Sequence, residues 1–260
     1  MTIQFTSKKV GELLKEGNLR IPSYQRPYKW NRKHIRNLFY DLRDAMGKKE
    51  YQIGSVILHE NDENDGNDRY LDIVDGQQRL ISISLFLHLL DDLENYKGAN
   101  QLLSAEFGEL SCYHASENYN EWENLTQLVS ENEAKDICNF LLENCAVSVI
   151  IMPKKRLSEA FQLFDSQNNR GKPLEPHDLL KAYHLRKEDS EDEKIVEKWE
   201  QFVEDKDLSL KELFDKHLFR MRRWSRGDTG LTKKRYGSYL RFTEDFIDDF
   251  KGVDLNQNFP

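Results

Sequence analysis

Residues 70–90, YLDIVDGQQRLISISLFLHLL, bring five groups capable of chemistry to one corner: Asp75, Gly76, Gln77, Gln78 and Arg79. A strand-like hydrophobic run leads into them, and a segment apolar on nearly every side leads out. Glycine at such a handover permits a tight turn and lets a ligand approach the backbone. The first turn of the following helix offers unpaired N–H groups and a partial positive charge, both of which favour an anion. Arg79 adds a fork of donors suited to phosphate. Gln77 and Gln78 add amide donors and acceptors that can fix a nucleotide or a water. Asp75 can accept from a sugar hydroxyl, hold a magnesium ion or orient a water. Together these groups read as a phosphate or nucleotide pocket. A plainer reading stands beside it, in which Asp75 caps the helix, worth about 1 kcal/mol, and Arg79 pairs with it. That alternative leaves two glutamines and an arginine at the head of a core helix unexplained. The pocket reading needs an open corner, and Arg79 buried against its own neighbours would contradict it.

A second stretch, YQRPYKW, sets Tyr24, Arg26, Tyr28 and Trp30 at alternate positions. In an extended segment these share one face, which can stack on a nucleobase and grip a phosphate. The alternative is that the aromatics pack in the core while Arg26 faces solvent. Asn168, Asn169, Arg170 and Gly171 lie in a polar loop between two amphipathic segments. They supply either further anion or base contacts or simply a turn. Other catalytic schemes find no support. The seven histidines form no HExxH or paired metal spacing, and no GxxxxGK[ST] loop, GxSxG elbow or His-Asn-His cluster occurs.

The elements that must position these residues follow from periodicity. Residues 2–17 read as a short strand and an amphipathic helix carrying Val10, Leu13 and Leu14 on one side. The prolines at 22 and 27 make the next segment extended. Asn31 can cap a helix whose apolar side is Ile35, Leu38, Phe39 and Leu42. YQIGSVILHE and RYLDIVDG read as two strands joined by a hairpin or a longer excursion. A core helix is expected from Gln77 to about Leu93, because no side of it is polar enough for a surface. Residues 100–135 are poorly patterned, and helices with loops are all they support. CAVSVIIM is a β-branched strand ending before Pro153. Beyond residue 190 the chain reads as helical.

Bulk properties narrow the classes. With 260 residues and 38% hydrophobic content the chain can fill a core. No apolar run is long enough to span a bilayer, and the first residues lack a signal-peptide pattern. Three cysteines, Cys112, Cys138 and Cys145, without patterned spacing point to a reducing cytoplasm rather than a disulfide or zinc scaffold. The net charge of -8 argues against indiscriminate nucleic-acid binding. Yet basic residues are segregated. Arg20, Arg26, Lys29, Arg32, Lys33 and Arg36 form one stretch. Lys216, Arg220, Arg222, Arg223, Arg226, Lys233, Lys234 and Arg235 form another, which can track a DNA backbone.

The motifs IPSYQRPYKW, YQIGSVIL, IVDGQQRL and FDSQNNRGKPLEPHDLLKAYHL come in an order and rough spacing that resembles the N-terminal domain of the GmrSD-type restriction family, within the ParB/sulfiredoxin-like superfamily. The likeness covers residues 1 to about 190. It implies a phage-defence protein of bacteria or archaea whose N-terminal domain binds and hydrolyses a nucleoside triphosphate, GTP or ATP with Mg2+, and senses modified phage DNA. It implies that the DGQQR element, residues 75–79, carries the nucleotide chemistry. The YQR element, Tyr24, Gln25 and Arg26, then contributes to nucleotide or modified-DNA recognition. A nuclease domain or subunit of His-Asn-His type is the implied partner; whether the chain forms a homo-oligomer is left open by the sequence. No such nuclease motif occurs before Pro260, so the chain is expected not to cut DNA by itself, being either a shortened chain or a subunit that works with a partner. The expected fold is α+β: a small mixed sheet wrapped by helices over residues 1–190, then a mostly helical domain over 191–260. The rival to a hydrolysing sensor is a module that binds DNA or a partner protein and uses nucleotide only as a conformational ligand.

Overall fold

A computed structural model of the chain describes residues 3–22, 25–62, 69–153, 199, 202 and 213–227. The fold is α+β, as expected. Two compact units are present, residues 1–167 and 168–260. The sheet and most described helices lie in the first.

Five strands form one mixed sheet: β1 (Gln4–Lys9), β2 (Leu19–Arg20), β3 (Tyr51–Asp62), β4 (Arg69–Asp75) and β5 (Cys145–Met152), in the order β1-β5-β3-β4-β2. Pairings β1–β5 and β3–β4 are antiparallel, whereas β3–β5 and β2–β4 are parallel. The parallel β2–β4 pair has a functional consequence. Both strands run to the same edge of the sheet, so the segments that follow them, residues 21–31 and the residue 76 corner, leave side by side. The first of these turns once, the Gln25 N–H donating to the Pro22 carbonyl at 3.0 Å, before residues 25–31 pass the corner.

Among the described residues, six helices accompany the sheet: α1 (Val10–Lys15), α2 (Arg32–Ala45), α3 (Gln77–Leu89), α4 (Lys97–Leu103), α5 (Glu109–Gln127) and α6 (Glu131–Glu143). Asn31 caps α2, accepting from the Lys33 N–H at 3.1 Å, and α2 buries Ile35, Leu38, Phe39 and Leu42. Ser130 caps α6 by accepting from the Glu133 N–H. Helix α3 is buried on almost every side. It ends at Leu89, short of the expected Leu93, and a separate 3-10 turn takes up Leu93–Asn95. Asp91, with φ of 55°, marks the break.

The core closes where α2, α3 and α5 meet. The indole of Trp122 stacks on Phe86 with centroids 4.4 Å apart and meets Phe39 edge-on at 6.4 Å. Its Nε1–H donates to the Ser82 carbonyl at 2.9 Å. The serines of α3 are accommodated because their hydroxyls donate back one turn, Ser82 to the Gln78 carbonyl and Ser84 to the Leu80 carbonyl. Among the described residues no helix is long and apolar enough to cross a membrane. The expected helical second domain falls largely outside the described residues; the part described, 213–225, is helical.

Candidate functional site

The corner between β4 and α3 is built on Gly76, whose φ of +97° suits glycine. A Cβ there would sit 2.9 Å from Val56 Cγ2. Gly76 is the N-cap of α3, so no side chain caps the helix, and its first turn contains no acidic residue. Asp75 lies one residue outside. Its carboxylate accepts from the Gly76 N–H rather than from the N–H groups deeper in the turn. The plain cap reading of Asp75 is therefore not what the chain does, and the first-turn donors and the positive end of the helix dipole have no side-chain acceptor.

Arg79 reaches back over β3. A Cβ on Gly54 would lie 2.9 Å from its Nη2 and 3.1 Å from its Cζ, so the guanidinium rests on bare backbone. Gly54 has φ of +119° and sits in the register shift between Gln52 and Ser55 where β3 meets β5. Nη1 of Arg79 donates to the Ser55 carbonyl at 3.2 Å. Its other donors find no hydrogen-bond partner among the described residues, and it is half-buried. Arg79 is thus anchored by one hydrogen bond among the described residues and is partly buried. Burial lowers its pKa from the ordinary value, and the Asp75 carboxylate opposes the change. Burial likewise raises the Asp75 pKa, opposed by the Gly76 N–H and by the charges of Arg79 and Arg26. The two residues feel each other's charge without forming an ion-pair contact.

The segment after β2 straps across this corner, and three glutamines hold it. Past Arg20 there is no strand beside β4, and the Gln25 amide takes its place, donating to the carbonyls of Ile73 and Val74 at 2.8 Å each. Gln78 has both ends of its amide occupied: Oε1 accepts from the Lys29 and Trp30 N–H groups, and Nε2 donates to the Pro27 carbonyl. Gln77 donates to the Arg26 carbonyl at 3.3 Å. Its Oε1 has no partner although the residue is only 5% exposed. A buried acceptor without a donor is costly, of the order of 1–3 kcal/mol, so this oxygen marks a place for a donor group. The Arg26 side chain is half-buried, makes no hydrogen bond among the described residues, and stands near enough to Asp75 to stabilise its charge.

The aromatic face expected along this segment is not formed. Tyr28 is fully buried in the core. Its hydroxyl meets Ser82 Oγ at 2.6 Å and accepts from Asn118 Nδ2 at 2.8 Å. Burial pushes its pKa up to about 12. Tyr28 cannot reach a nucleobase; the strict alternation is lost because the strap must tuck one side chain beneath itself. Trp30 is half-buried, stacks on His34 at 5.3 Å, and gives its carbonyl to Asn118. Tyr24, Asn169 and Arg170 lie outside the described residues.

Two supports escaped the sequence reading. One is the buried polar set under the strap: Ser111, whose Oγ accepts from the Tyr28 N–H, together with Ser82 and Asn118. The other is Asp72, 2% exposed, which takes the Arg20 Nε–H at 2.7 Å and the Asn61 amide at 2.9 Å and so fixes the start of the strap to β4. Only the spacing of Arg20 before a proline-rich segment hinted at it.

A model of the GmrSD restriction endonuclease N-terminal domain family matches residues 10–185, well over half of the chain. The chain belongs to this family. A second model, of a family described only as of unknown function, matches residues 191–260. No curated protein matches. The corner just described lies within the GmrSD domain, so the chain carries a domain of a restriction system.

The GmrSD corner presents two kinds of donor suited to an anion, uncapped amides and two guanidiniums, beside one acceptor, the Asp75 carboxylate. No group of three or more His, Cys, Asp or Glu side chains able to hold a metal occurs among the described residues. A magnesium ion there would lean on Asp75 and on the phosphates themselves, which is how Mg2+ is commonly held in nucleotide sites.

Asp75 also predicts a pH signature. A carboxyl whose pKa is raised on folding binds its proton more tightly in the native state, so ionising it costs stability as pH rises from the unfolded value through the raised one. Asp75→Asn removes that cost. In urea titrations between mildly acidic and neutral pH, the variant should gain stability relative to the parent as pH rises. A difference that stays flat or reverses would mean that Asp75 is not held against burial.

Proposed function

We propose that this chain is the nucleotide-hydrolysing sensor module of a modification-dependent anti-phage restriction system, coupling nucleoside triphosphate binding and hydrolysis to DNA recognition. The observation that carries the reading is the α3 N-terminus, which begins on a left-handed glycine, has no capping side chain, and is flanked by two guanidiniums. The first-turn amides and Gly76 cradle the phosphates. Arg79 and Arg26 neutralise the triphosphate and the charge that develops as the terminal phosphoryl group transfers to water. Asp75 holds Mg2+ or orients the water, and the ion would supply charge neutralisation on the phosphate oxygens. The orphaned Gln77 Oε1 accepts from that water or from a hydroxyl of the nucleotide. Gln78 and Gln25 act through the strap, keeping Arg26 beside Asp75, and are positioning residues. GTP and ATP are the expected substrates. Modified phage DNA and a His-Asn-His nuclease domain or subunit are the expected partners.

The second reading is a module that binds nucleotide without turning it over. It is favoured by the bond from Arg79 to the Ser55 carbonyl, which fixes the guanidinium before any ligand arrives. Incubating the purified chain with labelled GTP, ATP and CTP and Mg2+, with and without modified DNA, separates the two. Release of phosphate that depends on Asp75 and Arg79 supports hydrolysis. Saturable binding without release supports the second reading, and absence of both binding and release would overturn any nucleotide role.

A further inference from the structure

The second unit holds a feature that nucleotide chemistry does not use. A helical run begins as a π-turn at Leu213–Leu218 and continues as the helix Phe219–Ser225. Large apolar side chains stand out from it: Trp224 is 62% exposed and Met221 61%. They are three residues apart, and Arg220 is four before Trp224, so the three are neighbours on one helix surface. Arg220, Arg226 and His217 are exposed as well. Residues 213–227 contain Lys216, Arg220, Arg222, Arg223 and Arg226 against one acid, Asp215, in a chain whose net charge is -8.

Two large apolar side chains beside an arginine offer a binding surface, and its charge selects an occupant. A surface for an acidic chain's own copies would meet mostly negative potential and would attract any part of the molecule without discrimination. A nucleic acid satisfies both halves of the surface, phosphates on the arginines and a base face on the indole. Cations alone would suffice to track a duplex backbone. An indole and a thioether left exposed among them add a platform that only an unpaired base can use, since duplex bases are already stacked on one another.

We propose that the Arg220–Met221–Trp224 surface binds an unpaired stretch of DNA, stacking a base on Trp224 while Arg220 holds a flanking phosphate. The proposal deepens the sensor reading and rests on it for the choice of DNA. It assigns to residues 213–226, within the segment matching a family of unknown function, the task of engaging a strand opened or distorted in the target.

Fluorescence anisotropy of the full chain with a labelled single-stranded oligonucleotide and with the matching duplex, without nucleotide, tests it. The parent should bind the single strand more tightly. Trp224→Ala should weaken that binding by about tenfold, and Trp224→Phe should recover most of it. Arg220→Ala should flatten the dependence of log affinity on log salt by about 0.7, one phosphate contact on a single strand. Unchanged binding by Trp224→Ala, a parent that prefers duplex, or no binding at all would overturn the proposal. So would light scattering that finds a dimer dissolved by Trp224→Ala, which would make the surface a subunit interface. Phosphate release from GTP and ATP, measured on the same preparations, keeps the two readings apart. Trp224-dependent binding without turnover would sink the hydrolysis reading alone, and turnover with Trp224-independent binding would sink this one alone.

Discussion

Arg79→Met should lower nucleotide turnover by about 10²-fold or more, the scale seen when one donor to a developing oxyanion is removed, without lowering the melting temperature. The two halves of this expectation have a single cause. The guanidinium is half-buried and loses hydration, which depresses its pKa, while the carboxylate of Asp75 restores part of the loss without touching it. One bond, to the Ser55 carbonyl, is its whole hydrogen-bond return among the described residues. Removing one charge of a contacting buried pair is costly because its partner is left uncompensated. Arg79 and Asp75 make no ion-pair contact, however, and Asp75, its pKa already raised by burial, can take up a proton, so the desolvation of the cation that Met removes offsets the loss. Met at 79 keeps the aliphatic stem and loses the guanidinium that rests on Gly54 and would hold phosphate. A structural arginine would behave oppositely, with lowered melting temperature and intact turnover. Phosphate release and thermal unfolding measured on the same samples decide between them.

Gly54→Ala should reduce turnover by up to about 10²-fold, the penalty for displacing a catalytic group by roughly an ångström. The added Cβ would fall 2.9 Å from Nη2 of Arg79, and the guanidinium must move. Backbone strain contributes too, since φ of +119° is unfavourable for any side chain. Gly47 separates the two effects. It has φ of +91° but nothing within 4 Å of its would-be Cβ. Gly47→Ala should therefore share the loss of stability, about 1 kcal/mol or somewhat more, and keep full turnover. Equal turnover in both variants would show that the position of Arg79 over β3 is irrelevant to chemistry.

The parts of this fold that were legible in the sequence are those with one dominant local signal. The α2 cap at Asn31 and its apolar side, the β-branched β5, and the strand-to-helix turn at Gly76 all appear where the residues place them. Helix α5 was not legible, because the side it buries carries Ser111, Asn118 and Glu121 beside Trp122 and Leu125. Those polar groups are buried for partners distant in sequence: the Tyr28 backbone, the Trp30 carbonyl and Arg36. No periodicity scheme scores such a side as core. The strap failed for a related reason. Alternation in YQRPYKW predicts one shared face only if the segment lies flat, whereas hydrogen bonds from Gln78 and Asn118 twist Tyr28 into the interior. In the corner itself, residue types disclosed the chemistry but not the division of labour. Gln77 and Gln78 are adjacent and identical, yet one has its amide taken up entirely by backbone and the other keeps a buried oxygen unpartnered.

Everything rests on the α3 N-terminus accepting a polyphosphate. Calorimetric titration of slowly hydrolysed GTP and ATP analogues into the chain, with Mg2+ present, addresses that point without depending on turnover or on DNA. The account predicts saturable binding at one site per chain, lost in Arg79→Met and weakened when Gln77 is replaced by Leu. Absence of binding by the parent, or equal binding by parent and Arg79→Met, would contradict it.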